Sequence, residues 1–77
     1  MKIKENIPFQ TVGDAWSMWV PDGVTLTIEI SPDGKEGHFV ECANDVTGPD
    51  MFQCIGYNPG TYFRVSGFGS EQLEILL

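Results

Sequence analysis

From Val24 to Ile30 apolar and polar residues alternate without a break: Val24, Leu26, Ile28 and Ile30 against Thr25, Thr27 and Glu29. A period of two sorts them onto the two faces of a β-strand, whereas the 3.6-residue period of a helix would mix them. The run ends in Ser31-Pro32-Asp33-Gly34, which has turn chemistry. Shorter strands are predicted at 7–12, with Pro8 marking an edge or a strand start, and at 15–20, 37–43, 51–56 and 61–66. Pro21-Asp22-Gly23, Asn58-Pro59-Gly60 and Gly67-Phe68-Gly69-Ser70 separate them as turns, and 44–50 reads as the longest polar loop. Ser70 offers a helix cap for the last segment, but Leu73, Ile75 and Leu77 alternate, so 71–77 is read as a strand.

Seven to eight short strands at this cadence predict an all-β fold, a small antiparallel β-sandwich of jelly-roll or Ig-like type. The 77 residues make one domain, 1–77. Val24, Leu26, Ile28 and Ile30 are its expected floor, with Phe39, Phe52, Phe63, Val65, Leu73 and Ile75 added to the core. Trp16 and Trp19 stand three apart, so a strand sends them to opposite faces, one to the core and one outward. A chain this short buries only about 60% of its unfolded surface, which is an argument for help from a partner.

Charge narrows the choice of partner. Four basic residues (Lys2, Lys4, Lys35, Arg64) face eleven acids, for a net charge of -7. Four scattered cations do not build the basic surface that nucleic acid or an anionic membrane requires. No run approaches the roughly 18 apolar residues of a membrane-spanning helix, and no secretory leader is read at the start.

Candidate chemistry is sparse. Cys42 and Cys54 would lie opposite each other if 39–43 and 51–56 formed a hairpin, which allows a disulfide; two buried thiols are the alternative preferred. With His38 they make too few soft ligands for zinc. Cys42 and His38 on one strand would stand about 13 Å apart, too far for a nucleophile and its base. The turn residues Asp14, Asp22, Asp33, Asp45 and Asp50 are read as caps of their own backbone, without the spacing of a calcium loop. No cofactor is expected, and the chain is read as not an enzyme. Arg64 lies between Phe63 and Val65 and faces outward, either in a cross-strand ion pair or as a fork for an acidic group on a neighbouring subunit.

Two segments carry a resemblance: 24–34, a strand running into Ser31-Pro32-Asp33-Gly34, and 58–67, Asn58-Pro59-Gly60-Thr61-Tyr62-Phe63-Arg64-Val65-Ser66-Gly67, followed by Leu73-Glu74-Ile75. Together they resemble small β-sandwich proteins of tailed-phage virions, of the capsid-decoration, head-fibre and tail-domain kinds. They are also similar to galactose-binding-type sandwich modules. The first resemblance implies a non-enzymatic structural protein that assembles in the host cytoplasm into the virion, associates with itself, as a guess in threes, and contacts a capsid or tail protein. The contact residues expected are Trp16, Trp19, Phe68, Arg64, Leu76 and Leu77. A carbohydrate-binding module and an acidic inhibitor of a host protein are the other classes carried forward.

Overall fold

The computed structural model describes residues 1–77 and contains eight strands. They are β1 (Lys2–Lys4), β2 (Phe9–Gln10), β3 (Ala15–Val20), β4 (Thr25–Ser31), β5 (Val40–Thr47), β6 (Asp50–Ile55), β7 (Tyr62–Ser66) and β8 (Gln72–Leu76). Two four-stranded antiparallel sheets, ordered β1-β8-β3-β6 and β2-β7-β4-β5, make a sandwich. The pairs β1–β8, β2–β7, β3–β6 and β4–β5 are those of one long hairpin folded at the β4–β5 connection. The pairs β3–β8 and β4–β7 close it into two sheets. This is jelly-roll order, so the Ig-like alternative falls.

Alternation along each strand builds the core. Trp16, Met18 and Val20 from β3 and Leu73 and Ile75 from β8 meet Leu26 and Ile28 from β4 and Phe63 and Val65 from β7. Trp16 is the hub of an aromatic cluster, edge-on to Phe9 and Phe63 at centroid distances of 5.5 and 5.3 Å, with Phe52 at 5.5 Å. Only 14 of 77 residues are buried, so the fold carries a small core.

Three expectations are corrected. Residues 39–43 and 51–56 are not a hairpin: β5 pairs with β4 and β6 with β3. The supposed loop 44–50 is mostly strand, because β5 continues to Thr47 along β4 while Val46 packs on the core. The chain changes sheets at Gly48-Pro49, where Gly48 comes so near the Pro21 carbonyl oxygen that no side chain fits. Phe39, expected in the core, lies before β5 begins and packs under the Arg64 guanidinium, 4.2 Å from ring centroid to Cζ. A further strand, β1, escaped the alternation because only Ile3 of its three residues is buried.

Glu5 locks the β7–β8 turn. Its Oε2 accepts the backbone N–H groups of Gly67, Phe68 and Gly69 at 2.6, 2.9 and 3.0 Å. These bonds, those from Gly69 and Gly67 first, hold its carboxyl below the ordinary value. The turn aims Phe68 inward, where it is 5% exposed.

Candidate functional site

Alternation also decides what the β1-β8-β3-β6 sheet shows to water. With Trp16, Met18 and Val20 inside, Ala15, Ser17 and Trp19 point out of β3. The register sets Trp19 beside Met51, Ser17 beside Gln53 and Leu76, and Ala15 beside Ile55. Exposure is 55% for Trp19, 48% for Met51, 76% for Ile55, 59% for Leu76 and 55% for Leu77. A shallow groove of about 220 Å³ runs between Ser17, Gln53, Ile55, Leu76 and Leu77. At about 200 Å² per large side chain these five offer on the order of 600 Å² of surface. Trp19 and Met51 lie at one end of the face and Ile55, Leu76 and Leu77 at the other, with Ser17 and Gln53 between them, and this much exposed apolar surface on one face of a small protein marks a contact site.

Three of the expected contact residues, Trp19, Leu76 and Leu77, thus share one face. Trp16 and Phe68 do not join them, because both are core residues at 2% and 5% exposure. Arg64 lies on the other sheet, and its fork is used within the chain. Nε and Nη2 donate to Glu29 Oε1 and Oε2 at 3.0 and 3.1 Å, across the register pair Glu29–Arg64. Nη1 reaches Glu36 at 3.4 Å. The hydrogen bonds to Glu29 raise the Arg64 pKa further. Of its two readings, the cross-strand ion pair is the one present. Met51 and Ile55 were missed. Their alternation with Phe52 and Cys54 was the available signal, but it acquires meaning only once β6 is placed beside β3.

A second concavity, of about 450 Å³, is lined by Ile30, Ser31, His38, Val40, Tyr57 and Thr61. His38 Nδ1 lies 2.8 Å from Asp33 Oδ2, and Ser31 Oγ donates to Asp33 Oδ1 at 3.2 Å. The carboxylate therefore stands between hydroxyl and imidazole, and the hydroxyl is not presented to a base. Ser31 Oγ instead accepts the N–H groups of Asp33 and Gly34, and Asp33 Oδ1 that of Lys35, which is how a turn is capped. The Lys35 N–H, then His38, hold the Asp33 carboxyl below its ordinary value.

Cys42 and Cys54 are free and lie on different sheets. The Cys42 Sγ donates to the Ile28 carbonyl at 3.4 Å. Burial pushes both thiols up, away from the reactive thiolate. Their expected burial holds only in part, with Cys54 half-buried and Cys42 exposed. Nowhere do three His, Cys, Asp or Glu side chains gather as metal ligands. No family model, curated protein or solved structure matches the chain.

Proposed function

We propose that the protein is a non-enzymatic structural component of a tailed-phage virion, which decorates or stabilises a capsid or tail by docking the outer face of its β1-β8-β3-β6 sheet on a shell protein. The observation that carries this reading is the patch of Trp19, Met51, Ile55, Leu76 and Leu77, which has no role in the chain's own core. The jelly-roll order is compatible with it by analogy, since that architecture recurs in viral capsid domains, as it does in lectin domains. Apolar Met51, Ile55, Leu76 and Leu77 on the same face as the one exposed tryptophan favour a protein partner; Ser17 and Glu74, the polar residues nearest Trp19, leave the sugar-binding alternative to a glycan titration of its fluorescence.

Magnitudes favour a repetitive target. At 25 cal/mol per Å², covering on the order of 600 Å² gains about 15 kcal/mol. The loss of translational and rotational freedom costs about 4–15 kcal/mol. The remainder runs from nothing to about 11 kcal/mol, so a single contact is not assured of holding by itself, and many copies linked on one shell would bind firmly whatever its value.

Density-gradient fractions from infected cells, probed with antibody to the chain, test the reading. Banding with the particles, lost in Trp19→Glu, is expected. Recovery only with free protein would overturn it.

A further inference from the structure

Each sheet has two edge strands, and three of the four are protected against pairing. β1 is three residues long and carries Lys2 and Lys4. β2 has two residues. β5 is interrupted by two register shifts, carries Glu41 and Asp45, and places Asp45 at a φ of 54°. Short length, charge and bulges are the usual protections of a sheet edge. β6, Asp50–Ile55, has none of them past its first residue: Met51-Phe52-Gln53-Cys54-Ile55 is uncharged, regular and free of proline.

The hydrogen-bond pattern shows which groups β6 turns outward. Gly56 N–H donates to the Asp14 carbonyl at 3.0 Å. In an antiparallel ladder this makes Asp14–Gly56 a hydrogen-bonded pair, and Trp16–Cys54 and Met18–Phe52 follow by alternation. The N–H and C=O of Met51, Gln53 and Ile55 therefore point away from β3. A separate contact agrees with this: Met51 N–H is taken by the Asp50 carboxylate at 2.8 Å.

We infer that this edge receives β6 of a second copy, antiparallel, about a two-fold axis at Gln53. That register sets Gln53 opposite itself, Met51 opposite Ile55 and Phe52 opposite Cys54. It sets Asp50 opposite Gly56, so no acid meets an acid, although each chain carries a net charge of -7. Outward-turned pairs exchange two bonds each, giving roughly six, of which two wait until Asp50 releases Met51 N–H. The two sheets become one of eight strands, and their apolar faces become one surface of double width. A self-complementary edge closes as a dimer, in place of the trimer guessed from the sequence. The dimer supplies the docking face with the multiplicity that a single contact lacks, but its existence does not depend on docking.

Sedimentation over a concentration series, with amide exchange at Gln53 and Ile55, tests the inference. The wild type is expected to dimerise, with both amides protected only when concentrated. Gln53→Pro removes an N–H that the chain does not use internally, so it should keep its far-UV spectrum and stay monomeric. Gln53→Lys, which sets like charges face to face at the axis, should do the same. Asp50→Ala should tighten the dimer about three- to tenfold. A wild type monomeric up to about 1 mM, or an oligomer that a folded Gln53→Pro leaves intact, would overturn the pairing. A monomer that still bands with virions would remove the dimer and leave docking in place; a dimer absent from virions would do the reverse.

Discussion

Across the β4–β7 pair the outward side chains are Thr25, Thr27, Glu29, Tyr62, Arg64 and Ser66; across the β3–β6 pair they are Ala15, Ser17, Trp19, Met51, Gln53 and Ile55. Both sets come from strands of ordinary length with buried alternate positions. On the first face the charged groups satisfy one another: Glu29 grips Arg64, and Phe39 stacks beneath the guanidinium. On the second face nothing in the chain covers the apolar groups. A face that completes its own contacts has no need of a partner, whereas one that leaves a tryptophan, a methionine and three aliphatic chains in water gains by meeting one. The same contrast holds at the edges, where β5 is bulged and acidic and β6 is regular and, past Asp50, uncharged.

The two tryptophans give the largest separation of roles. Trp16→Ala should cost about 3–5 kcal/mol in denaturant unfolding, because it empties the aromatic hub. A single core in a chain of this length supplies only about 3–5 kcal/mol, so the variant is expected to be mostly unfolded or close to it. Trp19→Ala should shift stability by less than about 0.5 kcal/mol. Equal costs would place Trp19 in the fold and remove it from the docking face. On the other face, Arg64→Met should lower stability by about 1 kcal/mol, leaving Glu29 opposite Glu41 without its cation. Binding to particles should not change, and a loss of binding at full stability would move the contact to the polar face.

Added salt makes a smaller test. Screening the repulsion of two acidic chains should tighten the β6–β6 dimer modestly between low and physiological ionic strength. Weakening with salt would mean that ion pairs, rather than apolar surface and backbone bonds, hold the copies together.

The smallest effect is one of pH. Glu5 is lowered by the Gly69 and Gly67 N–H groups, Asp33 by the Lys35 N–H and His38, and Glu74 by its bond to the N-terminal ammonium. A carboxyl lowered in the fold binds fewer protons folded than unfolded, so its contribution is complete above the unfolded value and is lost as pH falls through the folded one. The melting temperature should therefore drop in the range of about pH 4 and below. Glu5→Gln should flatten that drop while the docking face is untouched.

What could be read in the chain divides by the range of the interaction. The alternation of β4 is local, and so were the split of Trp16 from Trp19 and the outward aim of Arg64. Which tryptophan is buried depended on sheet partners, and so did the identity of the acid that meets Arg64. Residues 39–43 and 51–56 look like a hairpin because they are close in sequence; their true partners, β4 and β3, were chosen by register across the roll. That mispairing hid Met51 and Ile55 from the docking face. Phe68 was placed in a turn and expected at a contact, but that turn donates three N–H groups to Glu5, more than sixty residues away, and Phe68 packs inward.

Hydroxyl-radical footprinting of the protein, free and assembled on purified particles, measures the contrast between the faces most directly. Trp19 and Met51 should lose reactivity on assembly, while Tyr62, on the opposite sheet, keeps its own. Protection at Tyr62 and His38 with Trp19 and Met51 unchanged would contradict the account, and would assign docking to the face that needs no partner.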